Sequence, residues 1–188
     1  MTRKLIALAA AAAAASLLQG CFPLVATGVG ATALVATDRR TTGIYIEDEN
    51  IELKSLRALT RFQNAHVSAT SYNRRVLLTG QAPSEEAKKQ IADTIRGIDN
   101  VREVIDEVQI AGASSYATRG ADALITSNVK ARMVNNGKFS PTHVKVVTEQ
   151  GVVYLMGLLD RQEAEAAVEV ARTTSGVARV VKAFEYLP

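Results

Sequence analysis

Val76-Leu77-Leu78-Thr79-Gly80 and Val153-Tyr154-Leu155-Met156-Gly157 decide the fold, because they are one pattern written twice at an offset of 77 residues. The register holds outward from them. Upstream, His66-Val67-Ser68-Ala69-Thr70 lies over His143-Val144-Lys145-Val146-Val147; downstream, Glu86 and Ala87 lie over Glu163 and Ala164. One deletion moves the offset to 76, where Val101 meets Val177 and Val104 meets Val180. A match held over about 40 residues with a single gap marks two copies of one supersecondary unit. Residues 111–120 (AGASSYATRG) join them and have linker composition.

Each copy reads as helix, strand, strand, helix, strand. In the second, Ile125, Val129 and Met133 recur at i, i+4, i+8 on one helical face, and Asn136-Gly137 stops the helix. Val144-Lys145-Val146 alternates as a half-buried strand does, and Glu149-Gln150-Gly151 turns the chain back into Val152–Met156. Asp160-Arg161-Gln162-Glu163 fits a capping box for a helix whose inner side is Ala164, Val168 and Ala171. Gly176 precedes a last strand over Val177–Phe184. The first copy repeats this, with Leu59 on its first helix and strands near Ala65–Ser71 and Arg75–Gln81. Ala87, Ile91 and Ile95 fall on its second helix, and its final strand is Val101–Ile110. Gly80 and Gly157 are expected where strands end and the backbone turns.

The fold class is therefore α+β: two αββαβ units, each a three-stranded mixed sheet with two helices. A unit of about 60 residues buries only about 60% of its unfolded-chain surface and is marginal alone. Without disulfide or metal, the two should pack together. The sheet face left open by the helices is the natural docking surface, with Tyr154 and Phe184 as candidates for it.

The amino-terminal stretch has another character. Arg3 and Lys4 precede an uncharged, alanine-rich run from Leu5 to Leu18, the pattern of a secretory signal. Its tail, Leu18-Gln19-Gly20-Cys21, resembles the lipobox of bacterial lipoproteins, although a small residue is usual where Gln19 stands. That resemblance implies cleavage before Cys21, the only cysteine, and acylation (diacylglyceryl and palmitate groups) of the new terminus. Several acyl chains anchor stably, since each buried CH₂ contributes about 0.8 kcal/mol. Phe22, in place of the aspartate that retains lipoproteins at the inner membrane, implies the periplasmic face of the outer membrane. Residues 1–20 are then a signal peptide and 21–43 an acylated, flexible tether, uncharged over 22–37. Gly28-Val29-Gly30-Ala31-Thr32-Ala33 fits a dinucleotide fingerprint only superficially, because no strand precedes it.

Composition excludes several functions. The net charge of +3 belongs largely to the signal; without Arg3 and Lys4 the chain has 20 basic against 19 acidic residues. A general polyanion-binding role loses its support. Tryptophan is absent and aromatics are few, which argues against a base-stacking surface and so against nucleic acid. His66 and His143 occupy equivalent positions ahead of strands in separate units, and no metal-binding spacing surrounds either. No serine sits in a nucleophile-elbow context. The reading is of no enzyme, no catalytic residues, no metal and no cofactor.

Taken together, the strands ending in Gly, the Glu-Ala helix starts and the run Gly176-Val177-Ala178-Arg179-Val180 resemble the BON domain. The units lie at 44–110 and 121–188, with 111–120 between them. Two such units behind a lipobox resemble the outer-membrane lipoproteins of that family. The resemblance implies phospholipid binding in support of envelope integrity, with contact around the first helix of the second unit. That helix carries Lys130 and Arg132, with Arg119 before it and Lys138 after it, whereas the next helix carries Glu163, Glu165 and Glu169. Such segregation suits an anionic bilayer, each basic residue contributing about 1 kcal/mol near it. Leu124, Lys130 and Arg132 are the candidate lipid-binding residues, and Leu124 is either an apolar wedge or core. The resemblance favours an aromatic here, and this helix has none. The alternative is an interaction module that docks on an outer-membrane assembly machine or a cell-wall partner.

Overall fold

A computed structural model describes residues 38–188; the signal, Cys21 and residues 22–37 lie outside the described residues. The first unit runs α1 (Thr42–Leu59), β1 (His66–Tyr72), β2 (Arg75–Ala82), α2 (Glu85–Arg96), β3 (Glu103–Asp106) and β4 (Gln109–Ile110). The second runs α3 (Tyr116–Val134), a single 3-10 turn (Pro141–His143), β5 (Val144–Glu149), β6 (Val152–Leu159), α4 (Arg161–Arg172) and β7 (Arg179–Tyr186). The αββαβ order expected of each copy is present in both. In each sheet the second strand is central, antiparallel to the first and parallel to the last. Both β3 and β4 pair in parallel with β2, so they are one strand interrupted at residues 107–108.

Local chemistry fixes the ends of the elements. Ser84 and Ser115 accept from the third amides of α2 and α3, and Asp160 with Glu163 makes the full capping box of α4. The hairpins turn at Asn73-Arg74 and Gln150-Gly151, all four with positive φ, the two-residue turn whose twist suits paired strands.

One face of each sheet is covered by its own helices. Ile51, Val76, Leu78, Ile91 and Ile95 form the first core; Ile125, Val129, Met133, Val153, Leu155, Ala164 and Ala171 belong to the second. The opposite faces pack on each other, where Tyr72 and Leu77 meet Val152, Tyr154, Met156 and Ala183 in a third cluster. Tyr154 thus lies on the docking face, as expected. Phe184 does not. It faces the helices in the second core, and its neighbour Ala183 faces the other unit.

Polar groups rim this contact. Asn73 Nδ2 donates to Glu185 at 2.8 Å, Arg102 pairs with Glu185 at 2.7 Å, and Arg75 Nη1 donates to the Ala183 carbonyl at 3.0 Å. Lys145 pairs with Glu52 at 2.6 Å. The buried Gln81 bridges both ways, donating to Glu149 at 2.6 Å and accepting from the Ser114 amide at 3.0 Å.

Gly80 and Gly157 are not strand ends. Both lie inside their strands, opposite the point where the first strand of each sheet begins. A Cβ on Gly80 would sit 2.0 Å from the His66 carbonyl oxygen, and one on Gly157 would sit 2.5 Å from that of His143. The repeated glycine admits a close backbone approach.

Candidate functional site

Three large apolar side chains stand out on α3: Tyr116 is 87% exposed, Leu124 68% and Val134 66%. At 100° per residue they share one side of the helix with Gly120, Ala123, Ser127, Lys130 and Ala131, all exposed. The opposite side carries Ile125, Val129 and Met133 into the core. The helix has one carboxylate, Asp122, and it is buried. Its two oxygens accept at 2.8 Å from the amides of Gln150 and Gly151, tying α3 to the β5–β6 hairpin. The outer surface of α3 therefore carries no negative charge.

The sequence-derived candidates divide between two sides of this helix. Leu124 points to solvent beside the buried Ile125, and Lys130 is exposed on the same outer side. Arg132 lies against α4. Its Nη1 donates to the Val170 carbonyl at 3.0 Å and to Thr174 Oγ1 at 2.7 Å, and its Nη2 donates to Thr173 Oγ1 at 3.0 Å. The third candidate thus closes the carboxyl end of α4, contributing charge beside the outer surface without joining it.

Tyr116 corrects the sequence reading. The helix begins at this residue, inside the stretch whose composition suggested a linker, so α3 does carry an aromatic, on its first turn. The Arg119 guanidinium lies over its ring at 4.4 Å, and Arg119 Nη1 is 3.3 Å from His66 Nε2 of the first unit. His143 Nδ1 lies 3.9 Å from Glu163. Each histidine therefore faces a charged side chain within the fold. Among the described residues, no group of His, Cys, Asp or Glu is arranged to hold a metal ion, and no helix is long and apolar enough to cross a membrane.

A second assembly sits where the tether would join the fold. Arg39 makes two bonds to Glu163, at 2.6 and 2.9 Å, and a third to the Leu158 carbonyl at 2.9 Å, all in the second unit. Burial alone would raise the Glu163 pKa, but bonds from Arg39 and from the Asp160 amide outweigh it and hold the carboxyl below its ordinary range. Arg40 turns to the first unit. Its guanidinium pairs with Asp38 at 2.7 Å and Asp48 at 2.8 Å and lies 4.1 Å from the Tyr72 ring centroid. Burial opposes its charge, yet the bonds to the two carboxylates raise its pKa. Burial, followed by the Asp38 charge, pushes the Tyr72 hydroxyl up to about 12. Residues 38–40 thereby grip both units at once.

Asp48 is the centre of that grip and escaped the sequence reading. It is 1% exposed and accepts from Ser71 Oγ at 2.6 Å, from the Asn73 amide at 2.8 Å and from the Arg74 amide at 2.7 Å. Asp122 does the same for the other hairpin, so the pair is a repeat element. The signal was present as Asp48-Glu49-Asn50-Ile51 over Asp122-Ala123-Leu124-Ile125, at an offset of 74.

Known proteins resemble this chain in sequence. The family model described as "BON domain" matches residues 47–112 and 121–188. The chain is 39% identical to a Haemophilus influenzae protein named outer membrane lipoprotein DolP, over 90% of each. It is 32% identical to an Actinobacillus pleuropneumoniae protein named 21 kDa hemolysin, over 80% of this chain and 79% of that one. A third relative, osmotically-inducible protein Y of Escherichia coli, is 27% identical over 78% of this chain and 76% of its own. Two matches to the family model and a relative matched along nearly its whole length agree: this chain belongs to the BON-domain family and is an outer-membrane lipoprotein.

Proposed function

We propose that acyl chains on Cys21 hold the chain to the outer membrane and that its second unit binds anionic phospholipid through α3, supporting outer-membrane integrity. The observation that carries this reading is the outer surface of α3, where Tyr116, Leu124 and Val134 are exposed, Lys130 stands among them and no carboxylate intervenes. Apolar side chains with a flanking cation are what an interfacial helix presents to headgroups and upper acyl chains. Tyr116 suits the boundary, with its ring toward the chains and its hydroxyl toward water. Arg119 and Arg132 add positive charge on either side. No step of chemistry is needed; the role is adhesion to lipid.

The residues make separable contributions. Lys130→Glu changes the local charge by two, about 2 kcal/mol at an anionic surface, and should weaken vesicle binding about 30-fold. Leu124→Ser removes an apolar contact and should weaken binding about tenfold at every salt concentration. Lys89→Glu, on the exposed side of α2, is the control and should leave binding within about twofold. These are read by co-sedimentation of residues 38–188 with phosphatidylglycerol vesicles. Equal losses from Lys89→Glu and Lys130→Glu would reduce the effect to net charge and remove α3 as the site. Anchoring is tested separately. Cys21→Ser should leave the full chain uncleaved or soluble in the periplasm on fractionation, and wild-type amounts remaining in the outer membrane would contradict acylation at Cys21.

A further inference from the structure

The two units differ on the helix that flanks the edge strand. On α1, Leu53 is 47% exposed and Leu56 64% exposed, and with Leu59, Glu49 and Glu52 they wall a groove of about 340 Å³ whose other side is Val67, Ser68 and Ala69 of β1. At the matching positions of α3 stand Ser127 and Lys130 for the two leucines, and Ala123 for Glu49. The second unit therefore lacks the leucine wall, and the repeat supplies its own control.

The floor of the groove is a strand edge. Among the described residues, β1 pairs with β2 alone. The Ser71 amide donates to Glu52 at 2.7 Å, and the Ser71 carbonyl accepts from Lys145 at 3.2 Å, so the Ser71 backbone points away from β2. In an antiparallel pair such residues alternate along the strand, which places the backbone groups of Ala69 and Val67 on the same outer edge. Side chains close that edge at Ser71; at Ala69 and Val67 it opens into the groove.

We propose that the outer edge of β1 and the leucine wall of α1 form a strand-addition site for an extended segment of a partner protein that carries apolar residues and one basic residue. Added strands take affinity from backbone bonds and specificity from alternate side chains. Because α1 and β1 run in opposite directions, an added strand meets Leu56, then Leu53, then Glu49 as it passes from Val67 towards Ser71. Two apolar side chains two residues apart, followed two residues later by a lysine or arginine, satisfy that order. Glu52 is paired with Lys145, so Glu49 is the carboxylate the groove offers to a basic side chain, and the matching position of α3 is the uncharged Ala123. This inference does not rest on lipid binding by α3.

The probes are a fluorescein-labelled peptide Thr-Val-Thr-Val-Thr-Lys-Thr, its reversed sequence, and a version with Glu for Lys. The protein is residues 38–188, which hold all three core clusters and fall within one compact unit. Fluorescence anisotropy should show saturable binding by at least one lysine peptide. Leu56→Glu, a surface change that leaves the core untouched, should weaken it about tenfold or more, and Ser127→Glu on α3 should not. The Glu peptide should bind more weakly than its Lys counterpart. In the complex, hydrogen exchange should slow at the Val67 and Ala69 amides. No binding by either lysine peptide at millimolar concentration, binding indifferent to Leu56→Glu, or protection at β5 in place of β1 would each overturn the proposal.

Discussion

Gly80→Ala is expected to be among the most damaging single substitutions in the chain. The added methyl would meet the His66 carbonyl oxygen at 2.0 Å, and that neighbour is backbone, which has no side-chain rotamer to adjust. Gly80 also has a φ of +113°, a region that alanine avoids. Overpacking and backbone strain add here, and together they should lower stability by about 3–5 kcal/mol. Gly157→Ala meets its carbonyl at 2.5 Å without the positive φ, so about 2–3 kcal/mol is expected. Gly112→Ala, with no heavy atom within 4 Å, should change stability by less than about 0.5 kcal/mol. Urea unfolding of residues 38–188 ranks the three. A Gly80→Ala protein within about 1 kcal/mol of wild type would contradict the close-approach explanation.

The second large effect falls on Asp48. Asp48→Ala removes the acceptor of two hairpin amides and of Ser71 Oγ, and it also strips a partner from the buried Arg40. Asp38 still pairs with Arg40 at 2.7 Å, but the buried guanidinium keeps only one of its two carboxylates and three donors lose their acceptor, so the expected loss is about 3–5 kcal/mol. Asp122→Ala removes two amide bonds without exposing a cation and should cost about 1–3 kcal/mol. Arg40→Ala combined with Asp48→Ala should be milder than the sum of the single changes, because each single change already breaks the ion pair the two side chains share. An Asp48→Ala protein no less stable than Asp122→Ala would show that Arg40 plays no part.

The repeat made the architecture legible: paired glycines, matched valines and a capping box placed nearly every element. What escaped notice has physical causes. Phe184 was assigned to the wrong face because β7 reads Val180-Val181-Lys182-Ala183-Phe184, with apolar residues of both parities. A sheet buried on both faces loses the alternation that tells them apart. Asp48 sits among Glu47, Glu49 and Glu52 and looks like part of a solvated acidic face. Its equivalence to Asp122 was hidden because the helix-to-strand connection is three residues longer in the second unit, so helix and strand offsets differ. Tyr116 was lost to a composition-based linker, although Ser115 caps the helix that begins there. Arg39 and Arg40 bond across 119, 124 and 8 residues, and no local pattern announces such partners. At the candidate site, charge alone grouped Lys130 with Arg132, whereas about 160° around the helix separates the surfaces they present.

The central claim is that the folded part recognises anionic lipid by itself, independently of the acyl anchor. Flotation of residues 38–188 with vesicles of pure phosphatidylcholine and with vesicles containing phosphatidylglycerol tests it most directly, since no tether then holds the protein near lipid. The account predicts binding to the anionic vesicles that weakens as salt is raised, and little binding to the neutral ones. Equal binding to both compositions, or binding to neither, would contradict it.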